Sequence, residues 1–149
     1  MSAIEISVAV GATDDQKAAI IGGLVSYNDS RASPEGHLPL AVVARTGGML
    51  IGGLLGYTHW NWLFIQQLWV AESARGNGTG CRLMLTAEGE AVARGCRHAH
   101  CDTFAFQALP FYQKLGYAVF GQLEDFPPGH TRYFLQKRNL HASAGENAN

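Results

Sequence analysis

The chain has 149 residues, a formal net charge of −1, and 47% hydrophobic residues, enough to bury a core of ordinary domain size. The balanced charge argues against a general nucleic-acid binder, which carries a basic stripe, and no apolar run approaches the roughly 20 residues a membrane helix needs. The N-terminus lacks a basic n-region and signal-type apolar core, and three irregularly spaced cysteines form no disulfide framework, so a cytoplasmic protein with reduced thiols is expected, with neither nucleic acid nor membrane as partner.

Residues 4–10, Ile-Glu-Ile-Ser-Val-Ala-Val, alternate apolar and polar and predict a first strand. Thr13-Asp14-Asp15-Gln16 is a capping box with acids in the first turn. It predicts a helix to about Asn28, with Ala18, Ile21, Leu24 and Val25 facing inward and Gly22-Gly23 weakening it. Residues 30–39 are turn-rich. A strand from Leu40 to Arg45, a Thr46-Gly47-Gly48 turn and a strand from Met49 to about His59 form a hairpin. The partner strand contains Gly52, Gly53 and Gly56, which mark a bulge or a close backbone approach. Trp60-Asn61-Trp62 is read as a tip.

The next stretch organises the chain. Residues 63–70, Leu-Phe-Ile-Gln-Gln-Leu-Trp-Val, have the composition of a buried strand. Arg75-Gly76-Asn77-Gly78-Thr79-Gly80 follows, and Leu83, Leu85, Ala87, Ala91 and Val92 then set a helical rhythm, ending at Gly95. Strand, glycine-rich turn and helix start bring unpaired backbone N–H groups and the positive end of the helix dipole together, a place suited to phosphate. Arg75 adds a planar, permanently charged donor fork. The physical expectation is a pyrophosphate loop. The P-loop is excluded because no Lys follows Gly80. The dinucleotide fingerprint fails because Cys81 stands at the third glycine and the loop is mid-chain. Beyond it, 97–103 is predicted as strand, 107–114 as short helix, and 117–123 and 131–137 as two last strands. Residues 141–149 are polar and small, an expected disordered tail, which leaves residues 1–140 as the domain.

Arg75, Gly78 and Gly80 match Arg/Gln-x-x-Gly-x-Gly/Ala, which resembles the acetyl-CoA pyrophosphate loop of the GCN5-related N-acetyltransferase (GNAT) superfamily. Ala108-Leu109-Pro110-Phe111-Tyr112-Gln113-Lys114-Leu115-Gly116-Tyr117 is similar to the family's late signature, Ala-x-x-Phe-Tyr-x-Lys-Leu-Gly-Phe/Tyr. The two occur in the family's order and cover, with their surroundings, roughly residues 4–138. The resemblance implies a single-domain α/β fold, a mixed, mostly antiparallel sheet with splayed central strands flanked by helices. It implies direct transfer of an acetyl group from acetyl-CoA to a primary amine of a small molecule or of a peptide or protein. The alternative is a catalytically silent acyl-CoA-binding regulatory module.

By the same resemblance, Tyr112 is the general acid beside the CoA sulfur and the Val70 backbone N–H is the oxyanion donor. The backbone of Leu68 and Val70 meets pantetheine, and Arg75, Gly76, Asn77, Gly78, Thr79 and Gly80 hold pyrophosphate. Tyr27, Asn28 and Asp125 are candidates for the acceptor site. The general base is open between Glu72, Asp102, Asp125 and a water chain, because Gln66 and Gln67 stand where many relatives carry a Glu. Ala105 stands where the family often has an Asn. Cys96, His98 and His100 alternate and invite a zinc reading, but i, i+2 strand geometry rarely closes four ligands, so no metal is expected. The resemblance also implies a homodimer through the late strands.

Overall fold

The structure, a computed structural model, describes residues 2–140; the expected disordered tail, 141–149, lies outside them. The described residues form two compact units that divide between Glu35 and Gly36.

In the first unit the capping box forms as its residues dictate. The Thr13 hydroxyl accepts from the Gln16 N–H at 3.1 Å, and the Gln16 side chain accepts from the Thr13 N–H at 2.9 Å. Helix α1, Asp14–Asp29, follows and passes through Gly22-Gly23 unbroken. Two expectations fail here. Residues 4–10 do not form a strand, and Ile4, Ile6, Val8 and Val10 are exposed. Alternation supplies only one face; a strand also needs a ladder partner, and none of the described strand pairings includes this segment. Nor do Ala18, Ile21, Leu24 and Val25 face inward, for α1 has no buried residue.

Among its described residues the second unit is a six-stranded sheet with two α-helices, α2 and α3. Strand β1 (Leu38–Thr46) and β2 (Met49–His59) form the expected hairpin, turning through Gly47 and Gly48, both at positive φ. A second tight turn at Trp60 and Asn61, also at positive φ, leads into β3 (Trp62–Val70); Trp62 thus belongs to the strand, not the tip. Helix α2 (Thr79–Ala93), β4 (His98–Phe104), helix α3 (Leu109–Lys114), β5 (Ala118–Glu124) and β6 (Thr131–Arg138) follow. The sheet order is β1-β2-β3-β4-β6-β5, and every neighbouring pair is antiparallel except β3 with β4.

That parallel pair is short. Trp62, Leu63 and Phe64 lie opposite His98, Ala99 and His100, and there the pairing ends, although β3 continues to Val70 and β4 to Phe104. The two half-sheets splay beyond Phe64 and His100, as expected. Alternation places Leu63, Ile65, Ala99 and Cys101 on the buried face, where they pack with Leu83, Met84, Ala87 and Ala91 of α2.

Helix α2 ties the halves together. At its C-terminal end the Arg94 guanidinium donates to the carbonyls of Leu38 (3.1 Å) and Pro39 (3.2 Å) and to the Thr58 hydroxyl (3.1 Å), all in the first half-sheet. Six residues earlier, buried Glu88 meets the second half. Its Oε1 lies 2.6 Å from Lys137 Nζ on β6, and its Oε2 accepts from the Tyr117 hydroxyl at 3.1 Å. Chain reversal after α2 uses Gly95 at φ 89°, the expected C′ residue.

Glu88→Ala would strand the Lys137 ammonium in the core, so it should destabilise the protein by about 3–5 kcal/mol, read by urea unfolding. Glu88→Leu combined with Lys137→Met should fall between that variant and wild type, since a buried apolar pair replaces a buried unpaired charge.

Candidate active site

The splay exposes the inner edge of β3. The Ala71 N–H donates across to the Ile51 carbonyl at 2.7 Å. Main-chain groups alternate sides along an antiparallel strand, so those of Val70 and Leu68 turn away from β2, toward the gap. The Val70 carbonyl on that side accepts from Arg75 Nε at 2.9 Å. Arg75 therefore folds back on the end of its own strand, using one of the five guanidinium donors. Strand β3 carries a bulge well before its end. Leu55 pairs with Gln67 and Gly56 with Ile65, so Gln66 is the extra residue. A Cβ on Gly56 would run into the Phe64 carbonyl oxygen, which accounts for a glycine inside this strand.

After β3 a single 3-10 turn, Glu72–Ala74, leads to the glycine loop. Gly76 and Gly78 take φ of 85° and 83°, conformations that side chains resist. Gly78 is the N-cap of α2 and supplies no side-chain cap. The Thr79 hydroxyl instead bonds the Asn77 side chain at 2.9 Å. The start of α2 is thus a helix N-terminus without a side chain bonded over it, at the mouth of the gap.

Helix α3 closes the same corner. A Cβ on Gly80 would sit 3.3 Å from Phe111 Cζ and 3.8 Å from Val70 Cγ2, so loop, strand end and α3 meet at this glycine. The next residue, Tyr112, is buried on the α2 side of the sheet, its ring 6.0 Å from that of Tyr117. Burial, and then the nearby Cys101 and Asp102, push its hydroxyl well above the usual tyrosine range. The turn before α3 is held by Gln107, whose side-chain oxygen accepts from the Phe104 N–H at 2.9 Å and the Thr103 hydroxyl at 3.2 Å. Ala105, where an Asn was awaited, contributes its N–H to the Thr131 carbonyl at 2.8 Å.

The opposite face of the sheet carries a group of rings. Phe64 stacks on His100 at 4.6 Å with planes 18° apart, and Trp62 packs on His98 at 4.8 Å. Phe64 and His100 are the last pair before the splay, so their rings lie at its apex. Burial lowers the His100 pKa below 6.5; His59 lowers it further, and Asp102 opposes. His100 was weighed in the sequence only as a metal ligand; its position at the apex depends on β3–β4 register, which no local pattern encodes. Cys96 does not join it, being buried after Gly95 outside the strand. Among the described residues no three His, Cys, Asp or Glu side chains converge on a metal position.

The remaining candidates scatter. Asp102 is paired with Arg132 (2.7 Å), and that guanidinium sits over Phe104, Phe126 and Phe134 at 4.9–5.5 Å. Asp125 accepts from the Gly129 N–H at 3.0 Å and shapes the β5–β6 loop. Glu72 is exposed on the 3-10 turn. Tyr27 and Asn28 stand near the end of α1, in the first unit; the Tyr27 carbonyl accepts from Ser30 Oγ at 2.6 Å, and the Asn28 carbonyl from the Ala32 N–H at 2.8 Å.

Comparison with known proteins gives one family. The description "Acetyltransferase (GNAT) family" matches residues 10–117. The chain is 44% identical over 91 residues to blasticidin-S acetyltransferase of Streptomyces morookaense, covering 60% of this chain and 67% of that protein. It is 36% identical over 121 residues to acetyltransferase Atu2258 of Agrobacterium fabrum (strain C58 / ATCC 33970), covering 80% and 88%. A 1.9 Å crystal structure of an acetyltransferase from Bacillus cereus ATCC 14579 superposes with a TM-score of 0.81 at 34% identity, covering 89% of this chain and 97% of that one.

The thiols offer a check on this geometry. Cys101 is 2% exposed, and burial, with Asp102 and Glu88, pushes its pKa up to about 12, whereas Cys81 is half-buried in the first turn of α2. Ellman's reagent at pH 8 should label Cys81 first and leave Cys96 and Cys101 unmodified until the chain is denatured. Equal reactivity of Cys101 would mean that the α2 face of β4 is open.

Proposed function

From a chain that belongs to the GNAT acetyltransferase family, whose members take their acetyl group from acetyl-CoA, we propose an N-acetyltransferase acting on a primary amine of a small molecule. Blasticidin S is the first acceptor to test, because the relative named for it shares 44% identity over 91 residues. The observation that carries the reading is the splay of β3 from β4, which opens directly onto the α2 N-terminus.

In this reading the pantetheine arm lies in the gap along Leu68 and Val70. Pyrophosphate is held by Arg75, by the main chain of Gly76, Asn77, Gly78 and Gly80, and by Thr79. The amine nitrogen attacks the thioester carbonyl while the Val70 N–H donates to the oxygen that becomes negative. The C–S bond then breaks, giving the amide and the CoA thiolate. Tyr112 serves the leaving sulfur. With its pKa raised, the phenol stays protonated at working pH, so it acts as a hydrogen-bond donor to the thiolate and passes its proton only as solvent replaces it. On the other face of the gap His100 receives the proton that the amine sheds. Its depressed pKa keeps the imidazole neutral near pH 7, the form that can accept. Asp102 is committed to Arg132 and does not compete for that role.

Calorimetric titration should show acetyl-CoA binding in the micromolar range, and CoA thiol release should rise with blasticidin S present. Tyr112→Phe should keep that affinity and lose about tenfold or more in kcat, within the range for a positioned acid. Absent binding, Arg75–Gly80 would be a structural turn only; binding without turnover on any amine would leave the silent module.

The pH profile tests His100. Activity requires the neutral imidazole, so kcat/KM should fall as pH drops through its pKa, giving an acid limb below pH 6.5. His100→Gln should remove that limb and lower the rate at pH 8, while the amine's own ionisation stays in both profiles. A limb unchanged in the variant takes His100 out of the chemistry.

A further inference from the structure

Helix α3 has only six residues, fewer than two turns, and a helix that short does not hold its own direction. Whatever it carries must be placed from outside. At its start the Ala108 N–H donates to the Thr103 hydroxyl at 3.4 Å. At its end Gly116 turns the chain at φ 95°, and the Tyr117 N–H donates to the Tyr112 carbonyl at 3.0 Å. The Tyr112 ring has two aromatic neighbours among the described residues, Phe111 at 5.2 Å and Tyr117 at 6.0 Å, both edge to face. Of the two, Tyr117 alone has a hydroxyl to anchor it.

That anchor leads into the buried ion pair. The Tyr117 hydroxyl donates to Glu88 Oε2 at 3.1 Å, and Lys137 Nζ donates to Glu88 Oε1 at 2.6 Å. Lys137 also reaches α3 directly. Its ammonium lies 5.6 Å from the centre of the Tyr117 ring, and its stem runs beside Gly116, where a Cβ would come within 3.4 Å of Cε. Lys137 is in turn fixed by the sheet, standing opposite Ala99 in the β4–β6 ladder. The pair between α2 and β6 therefore closes on the end of α3. Tyr117, Glu88 and Lys137 are each 5% exposed or less, so the carboxylate has no water to exchange for the tyrosine, and a charge-assisted bond of this kind holds its donor firmly.

We infer that Tyr117 is a positioning residue for Tyr112, and that the Glu88–Lys137 pair acts on the chemistry through it. The inference rests on the role proposed for Tyr112 at the leaving sulfur. A hydrogen bond to a departing thiolate must be aimed, and a misplacement of about 1 Å at a reacting group costs up to about a hundredfold in rate. The ion pair thus fixes more than the seat of α2. It sets the direction from which the phenol of α3 meets the gap.

A double-mutant cycle tests this. Tyr117→Phe keeps the ring and removes the anchor. It should lower kcat by about fivefold, less than Tyr112→Phe does, and leave acetyl-CoA affinity by calorimetry unchanged. In a Tyr112→Phe background the same change should alter kcat by less than about twofold, because the group it aims is gone. A loss that came from unfolding would reduce both backgrounds alike. Should Tyr117→Phe not fold, Glu88→Leu with Lys137→Met removes the same acceptor, takes its place in the cycle and should show the same dependence on Tyr112. Equal losses in both backgrounds, or no loss in either, would overturn the inference. If Tyr112→Phe is itself without effect, the acid role proposed above fails, and carbon NMR of ring-labelled tyrosine decides the placement without any turnover. The Tyr112 signal, identified by its loss in Tyr112→Phe, should shift and broaden in Tyr117→Phe as the ring gains freedom; an unmoved signal would overturn the inference.

Discussion

Everything at the candidate site depends on three residue pairs. Trp62–Phe64 of β3 lie beside His98–His100 of β4, and nothing continues that ladder. A longer pairing would close the gap and cover the main-chain groups of Leu68 and Val70. A shorter one would leave two sheets joined only through a helix. The unit keeps the opening because its two halves are fastened elsewhere: Arg94 grips β1 and β2, and Glu88 grips Lys137 and Tyr117. A buried ion pair is a poor source of net stability, since desolvation consumes much of its attraction. Its value here is geometric, because a charge in the core has one acceptable partner and so sets how α2 lies over both halves.

The site is built largely from main chain. In the proposed reaction, strand edge and helix start supply fixed N–H donors that need no reorganisation as charge develops, and glycines let loop, strand and α3 converge. Side chains add little at this corner beyond Arg75, Thr79 and Tyr112. The two faces of the gap then differ in character. On the α2 face the groups are buried and their protons held tightly, as Tyr112 and Cys101 show. On the other face half-buried rings and a histidine whose pKa is lowered by burial surround the apex. The Asp102–Arg132 pair with its phenylalanine cage sits farther along β4 and steadies the β5–β6 loop rather than offering a free carboxylate.

Local chemistry was legible where one short segment satisfies itself. The capping box at Thr13 and Gln16, the Gly47-Gly48 turn and the Gly95 stop need only neighbours in sequence, and each forms as read. The glycine loop was legible because Gly76 and Gly78 are the only residues there that take positive φ without strain. What failed depended on distant partners. Ile4–Val10 carry a strand's alternation, but alternation cannot supply the adjoining strand. Ile21 and Leu24 mark an apolar stripe, but not what covers it. Glu88 carries no local sign of its burial, because its counter-charge lies on β6.

The sequence by itself determined the family, the order of elements from β1 onward, the loop that caps α2 and the tyrosine of α3, because these reside in contiguous motifs whose backbone demands are local. Only the tertiary structure decided that His100 stands at the apex of the splay, that Asp102 is taken by Arg132, and that Glu88 is buried. Each of these follows from strand register and helix placement, which join residues about 30 to 50 positions apart and are settled by burial and charge pairing rather than by any local pattern.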